Sequence, residues 1–472
     1  MADYRRIADR IADDIAAGRL RPGDRLPPQR VFARRRGIAG STAGRVYAEL
    51  VRRGLVIGEV GRGTFVRAAP PGPAGRALAE PAGAAPVNLE LNYPSAPGQS
   101  ELLAAGLAPL LRPDVLTDAL RTAPAAGTPA AREAAAGLLA TAGWRPAPER
   151  FLFTGNARQA IAAALAHLVR PGGRVGVEAL TYPLVKEIAA RLGVTLVPLA
   201  TDGEGLRPEA VAAAHRAAPL SAVYAQPTLH NPTSVTTGDV RRSELARVVR
   251  ELDLPVIEDR IWSFLLGGDP GTEGSDGRGS GEEAPPPLAA YAPERVFVVD
   301  GLSKRVAPGL TVGFLVVPRG RAEQAADAVR SGGWAAGRFA LEAGARWIGD
   351  GTVGRLVAAK RADAAARQRL VAEHLAGFAV RGDPRAYYAW WELPEPWRAD
   401  TFCAAAAERR VAVTPGSAFA VPVVGAGRAE REVRAPAAVP ASDCVRLGLA
   451  SVPLSELAGA LRTLGEVARG GP

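Results

Sequence analysis

The segment RVFVVDGLSKRVAPGLTVGFLVVP, residues 295–318, decides how the larger part of this chain folds. It opens with a strand-like run of β-branched and aromatic residues, passes through a polar turn carrying Ser303 and Lys304, and returns to a second apolar run, VGFLVVP. Working outward, FLFT (151–154), RVGV (174–177), VTLVPL (194–199), SAVYAQ (221–226) and LPVIED (254–259) have the same character. The stretches between them, such as ARQAIAAALAHLV and YPLVKEIAARL, have helical spacing. Strands alternating with helices predict an α/β architecture, a mostly parallel sheet covered on both faces, and such sheets take ligands at the carboxyl ends of their strands. Chemistry is therefore expected just beyond those runs. The polar groups there are the TGNARQ turn after FLFT, Asn231 beyond SAVYAQ, Asp259 ending LPVIED, and Ser303–Lys304.

The whole chain has 472 residues, enough for two or three globular units, and its 47% hydrophobic and 22% charged composition excludes wholesale disorder, collagen-like repeats and a coiled-coil rod. No apolar run approaches the ~18 residues a membrane helix needs, and MADYRRIADRIADD is too charged for a secretory signal. The expectation is a cytoplasmic protein with no membrane partner. Cys403 and Cys444 are too few for a disulfide framework, and no Cys/His cluster has zinc-site spacing, so no metal is expected. Residues 69–87 read as an Ala/Pro/Gly linker, with further breaks at 267–287 and 422–441.

Charge is distributed unevenly. Residues 1–68 hold 15 arginines against seven Asp and Glu, so eight of the ten net positive charges lie there. A clustered basic segment gains affinity for polyanions by releasing their counterions, which leaves nucleic acid, anionic lipid and a merely solvated surface open. Within it, Ile7, Ile11 and Ile15 share one stripe of a helix over about Tyr4–Ala17. RLRPGDRLPPQR reads as a turn with proline at fixed places, and its Pro28 opens a second helix that turns Val31 and Phe32 inward, which Gly37 ends. A third helix from about Ser41 clusters Ala43, Val46, Tyr47 and Leu50 on one side, with Ser41, Arg45, Ala48 and Arg52 opposite, small and basic as a helix in a DNA major groove requires. LVIGEV and TFVRA then read as a hairpin whose tip offers Arg62 and backbone amides to a phosphate.

Three helices and a basic hairpin make a winged helix, and through LRPGDRLPPQR, the Thr42–Tyr47 spacing and GRGTFV, residues 4–67 resemble the GntR-type winged-helix regulators. That resemblance implies double-stranded DNA as partner, with contacts from Arg30, Ser41, Thr42, Arg45, Arg62, Gly63 and Thr64. Gly40 departs from it, standing where many relatives have an arginine.

In the larger region, a carboxylate, an amide, a helix N-terminus and a rare lysine converging on one strand edge suit an aromatic phosphate carrying an aldehyde. Pyridoxal phosphate answers that description. Through TGNARQAI, TYP (181–183), HNPT (230–233), IED (257–259), SKRVAPGLTVGFL and VRLGLA (445–450), residues 88–461 resemble the fold-type I aminotransferases of class I. The resemblance implies a seven-stranded sheet and a smaller C-terminal α+β subdomain, the effector region spanning 88–472. It implies that Lys304 forms a Schiff base with the cofactor, that Asp259 pairs with the ring nitrogen, and that Asn231 bonds the phenolic oxygen. It further implies that Tyr182 stacks on the ring, that Asn156, Ala157, Arg158 and Ser303 hold the phosphate, and that Arg446 clamps a ligand carboxylate. From the residue alone, Arg446 as a surface ion pair stays open. This chain departs from that pattern with Thr311 in place of an arginine on the phosphate, Gly301 in place of a serine and Trp262 in place of a tyrosine donor to the phenolic oxygen, and it lacks near Thr122 the tyrosine that reaches the partner subunit's phosphate; Arg158 or Arg305 are the candidates to compensate.

A winged helix joined to such a domain is similar to the MocR subfamily. The resemblance implies a homodimeric regulator whose large domain senses pyridoxal phosphate or an amino compound attached to it. An aminotransferase tethered to DNA, and a regulator whose cofactor site has decayed, are the alternatives.

Overall fold

The computed structural model describes residues 4–16, 19–20, 23–59, 62–66, 87–267, 285–422 and 441–471. Gly18, the linker up to residue 86, and nearly all of the two later breaks lie outside the described residues.

The N-terminal region is built from α1 (Tyr4–Ala16), β1 (Arg25–Leu26), α2 (Gln29–Arg36), α3 (Gly40–Arg52), β2 (Val56–Glu59) and β3 (Gly63–Val66). The third helix follows its wheel: Ala43, Val46, Tyr47 and Leu50 are buried while Ser41 and Arg45 are exposed. Phe32 meets Tyr47 edge-on, ring centroids 5.3 Å apart, and the Tyr47 hydroxyl donates to the Pro27 carbonyl. Two expectations need correction. Val31 is only half-buried and Ala33 joins Phe32 in the core instead, because the helix turns that side of its stripe toward α3. The DRLPP stretch is more than a turn, since Arg25 and Leu26 pair antiparallel with Phe65 and Thr64, giving three strands in the order β1-β3-β2. A short strand flanked by prolines carries no period for sequence reading to detect.

Beyond β4 (Val87–Asn88), the seven apolar runs become β5 (Phe151–Thr154), β6 (Arg174–Glu178), β7 (Thr195–Leu199), β10 (Ala222–Ala225), β11 (Val256–Asp259), β12 (Val296–Gly301) and β13 (Gly313–Val316), with a small hairpin of β8 (Thr201–Asp202) and β9 (Gly205–Leu206). The seven form one sheet in the order β5-β13-β12-β11-β10-β6-β7, and β13 alone runs antiparallel to its neighbours. Apart from Arg174 and the edge strand β7, of which only Leu199 is buried, every residue in them is buried, as a sheet with both faces covered requires.

The pairing of β12 with β13 sets Gly301 opposite Gly313 at very close approach. A Cβ at Gly301 would lie 2.7 Å from the Val312 carbonyl oxygen, and one at Gly313 would lie 2.3 Å from the Asn156 backbone. The serine usual in aminotransferases therefore has no room at 301.

A smaller α+β unit follows: β14 (Ala379–Arg381), β15 (Tyr388–Glu392), β16 (Val411–Ala412), β17 (Thr414–Pro415) and β18 (Cys444–Gly448). Four of these form an antiparallel sheet, β14-β15-β18-β17, and β16 pairs with β4. Trp391, Phe402, Leu447 and Leu461 fill a core separate from that of the large sheet. Among the described residues no helix is long and apolar enough to cross a membrane.

Candidate functional site

The carboxyl ends of β10, β11 and β12 bring Asn231, Asp259 and Lys304 together, and β18 adds Arg446 from the smaller unit. Lys304 is half-buried; its Nζ donates to the Asn92 carbonyl at 2.7 Å and lies 4.1 Å from the Tyr93 ring centroid and 5.1 Å from that of Trp262. Burial, reinforced by the nearby charges of Arg446, Arg158 and Lys360 and opposed by Asp259, pushes its amine down to about 7. A large fraction is thus uncharged and nucleophilic at neutral pH.

Asp259 is held by three hydrogen bonds: Oδ2 accepts from Tyr224 Oη at 2.7 Å and Gln226 Nε2 at 2.9 Å, and Oδ1 accepts from Ile261 N at 3.0 Å. A carboxylate has about four lone-pair sites, so one is left for a ring N–H. Burial raises its pKa and the three donors oppose that rise. Glu178, whose Oε1 accepts from Gln226 N at 2.7 Å, is pushed up to about 8 by burial and carries little charge beside Asp259 at neutral pH. Gln226 also accepts from Asn231 N at 3.2 Å through Oε1, tying the amide loop to the carboxylate. The side-chain Oδ1 of Asn231 is buried without a partner. Sequence reading missed Tyr224 and Gln226, although both flank the end of an apolar run.

The other predicted groups surround this centre. Tyr182 is half-buried, with Arg158, Tyr93, Asp259 and Arg446 as its charged and polar neighbours. Asn156 caps the helix Ala157–Leu168, its Oδ1 accepting from Gln159 N at 3.1 Å. That leaves the remaining first-turn N–H groups of a 12-residue helix, with no acidic residue in its first turn, to face an anion. Ser303 is half-buried and Ala157 buried. Of the two arginines that could replace the missing phosphate ligand, Arg305 is committed to Asp300 in a buried pair, Nη2 to Oδ2 at 3.0 Å. Arg158 is exposed at the helix start, close enough for its charge to act on Lys304 and Tyr182. Thr311 Oγ1 is buried without a partner.

Arg446 is not a surface ion pair. It is 7% exposed; Nη2 donates to the Glu90 carbonyl at 2.6 Å and to Thr414 Oγ1 at 3.1 Å, and Nε has no partner. No carboxylate pairs with it among the described residues, and burial pushes it down to about 10. A buried guanidinium without a counter-ion is poised for an anion. Arg446→Met is expected to leave the denaturant midpoint unchanged or raised, while weakening binding of a carboxylate ligand by about 10²-fold. Calorimetry with a dicarboxylate probe measures this, and equal affinity in both proteins would overturn it.

These groups fit pyridoxal phosphate: an amine at a strand end, a carboxylate with a free acceptor site, a buried amide oxygen without a partner, an aromatic wall and a helix N-terminus.

On the winged helix, Arg30, Ser41 and Arg45 are exposed, and Thr42, Gly63 and Thr64 are half-buried. The side chain of Arg52 lies outside the described residues. Gly63 has φ +130°, and a Cβ there would meet Arg25 Nε at 2.6 Å, so the wing tip requires glycine. Arg62 is paired with Asp443 of the smaller unit, and the Arg398 guanidinium lies 4.3 Å from the Phe65 ring centroid. The wing therefore rests against the elements that lead into β18.

Comparison with known proteins agrees with both halves. Residues 3–66 match the family of bacterial regulatory proteins, gntR family, and residues 114–464 match aminotransferase class I and II. The chain is 28% identical over 437 residues to the uncharacterized HTH-type transcriptional regulator YdeF of Bacillus subtilis (strain 168), covering 93% of this chain and 90% of that protein. It is 27% identical over 345 residues to the HTH-type transcriptional regulator TauR of Rhodobacter capsulatus, covering 66% and 67%. Among solved structures it is similar to LysN, the alpha-aminoadipate aminotransferase of Thermus thermophilus, with TM-score 0.67 and 22% identity over 81% of this chain and 92% of that one. It is also similar to the Thermus thermophilus aspartate aminotransferase with maleate, with TM-score 0.66 and 21% identity over 94% and 97%. With a gntR-family winged helix preceding a domain of the pyridoxal-phosphate-dependent fold, the chain belongs to the aminotransferase class I and II family, in the arrangement of the MocR-type transcriptional regulators.

Proposed function

We propose that this DNA-binding regulator, acting in the cytoplasm as a homodimer, reads pyridoxal phosphate or an amino compound joined to it. The observation that carries the reading is that both cations of the site donate to one short stretch of backbone. Lys304 bonds the carbonyl of Asn92, and Arg446 bonds that of Glu90. That stretch follows directly on the segment leading from the winged helix. A ligand that takes the Lys304 amine and the Arg446 guanidinium takes both donors from it, which supports a link between occupancy and DNA binding. Bound there, pyridoxal phosphate would supply an aldehyde reactive toward amines. The chain's own groups would orient it: Lys304 at the aldehyde, Asp259 at the ring nitrogen, Asn231 at the phenolic oxygen, Arg158 and the helix start at the phosphate.

The test is footprinting of the full chain on its own upstream region with and without pyridoxal phosphate, in wild type and Lys304→Ala. A footprint that changes with cofactor only in wild type supports the reading; identical footprints in all four conditions overturn it. An active aminotransferase is the second reading, favoured by Lys304, Asp259 and Arg446 sharing one site. Turnover of an amino acid with an oxo acid separates the two.

For the DNA contact, Arg45→Ala is expected to lower affinity for the cognate site about tenfold or more, and log affinity of the wild type should fall linearly with log salt. Fluorescence anisotropy at several salt concentrations checks both, and salt-independent binding would sink the assignment.

A further inference from the structure

Arginine outnumbers lysine 55 to three in this chain, so each lysine stands where an arginine was the compositional default. Lys360, on the 23-residue helix Thr352–His374, is fully buried. Its Nζ donates to three successive carbonyls, those of Lys304 at 3.0 Å, Arg305 at 3.0 Å and Val306 at 2.7 Å. These carbonyls end a single helical turn, closed by the Val306 N–H on the Leu302 carbonyl at 2.6 Å. A compact ammonium can aim three N–H groups at three carbonyls converging from one turn; a planar guanidinium cannot, and a neutral amine has only two N–H groups to give.

We propose that Lys360 is a positioning residue for Lys304: its ammonium pins the turn that carries Lys304 and sets a buried positive charge beside it. The inference rests on Lys304 being the reactive amine of the proposed function.

The surroundings support it. Among the described residues Lys360 has no ion pair within bonding reach: Asp363, one turn along the same helix, is engaged by Arg367 Nε at 2.7 Å and by the Tyr387 hydroxyl at 2.9 Å. The single proton of that hydroxyl is shared with the backbone carbonyl of Lys360 at 2.7 Å, which ties the helix to the residue just before β15. Asp300, near the turn, is consumed by Arg305. The Lys360 charge is therefore poorly neutralised where it acts on Lys304, in the same sense as Arg446 from β18 and Arg158 from the helix Ala157–Leu168, and against Asp259 from β11. Burial pushes Lys360 itself down to about 7 against the charge of Asp363, and the three carbonyl acceptors favour the form with three N–H groups to give.

The experiment uses the full chain as wild type, Lys360→Met, Lys360→Gln and Lys360→Arg. The rate of modification of the Lys304 amine by trinitrobenzenesulfonate is followed against pH and mapped by mass spectrometry, with circular dichroism to confirm folding. The two neutral variants are expected to move the midpoint at Lys304 upward by about 0.5 to 1 pH unit. Lys360→Arg keeps the charge without the three-point cap, so it should lower the rate with little movement of the midpoint. An unmoved midpoint in a folded neutral variant overturns the proposal. So does failure of both neutral variants to fold, which would assign Lys360 to core stability alone. A parallel arm with pyridoxal phosphate and borohydride separates the two levels: wild type that takes no cofactor at Lys304 sinks the proposed function, whereas the trinitrobenzenesulfonate profile still judges Lys360.

Discussion

Lys304→Ala is expected to abolish covalent capture of pyridoxal phosphate while leaving the fold intact. In wild type, mixing with the cofactor, reducing with borohydride and mapping by mass spectrometry should place the label on Lys304; in the variant it should vanish. The loss is complete because no other lysine lies in the site with a free amine. Lys360 spends its amine on three carbonyls, and Lys186 donates to the carbonyls of Ala418 and Ala420. Folding should survive because Lys304 gives up one hydrogen bond and two ring contacts. Label scattered over Lys186 and Lys360, or none in wild type, would mean that the domain keeps the fold without the cofactor. The pH dependence follows from the same site. The nucleophile is the uncharged amine, so capture should rise with pH through about 7. Stability carries the matching sign: the unfolded chain binds the Lys304 proton up to its ordinary 10.5 while the folded one releases it near 7, so stability should increase with pH between these values. Lys304→Ala should flatten that rise in urea midpoints measured across the window.

The second large effect is on stability. Arg242 and Glu258 are both fully enclosed, Nη1 to Oε1 at 3.4 Å. Arg242 also donates from Nε to the Thr237 carbonyl and from Nη2 to the Pro227 carbonyl and Thr228 Oγ1, each at 2.8 Å, gripping both ends of the loop that carries His230 and Asn231. Glu258 in turn accepts from Leu288 N and Ala289 N at 3.0 and 3.2 Å. Arg242→Ala strands a buried carboxylate and releases the loop, and should cost about 3 to 5 kcal/mol in denaturant unfolding. The double variant Arg242→Met with Glu258→Gln should recover part of it, since the orphaned charge is gone. A single-variant cost below about 1 kcal/mol would show that the pair is not what holds this loop.

His230 belongs to the same brace. Its ring nitrogens meet Thr233 Oγ1 at 2.7 Å and the Leu180 carbonyl at 3.0 Å, and burial pushes it down to about 4, so it stays neutral at physiological pH. The HNPT stretch is thus braced within itself at Thr233 and tied to Leu180, far away in sequence, which is why its reading as a cofactor contact needed the fold around it.

What the sequence by itself determined is periodic or terminal. The seven strands of the sheet are apolar runs, the α3 faces follow from 100° per residue, and Asn231, Asp259 and Lys304 could be singled out because parallel sheets present polar groups at strand ends. What only the tertiary structure decided is how those groups are held. It committed Arg305 to Asp300 and left Arg158 at the helix start, buried Arg446 without a counter-ion, joined Tyr224 and Gln226 to Asp259, and closed Gly301 against Val312. The acceptors for Lys304, Arg446 and Lys360 include backbone carbonyls. Every residue carries the same carbonyl, so such a partner leaves no mark in the sequence; only folding, by bringing residues 92 and 304 or 306 and 360 together, selects which one is used.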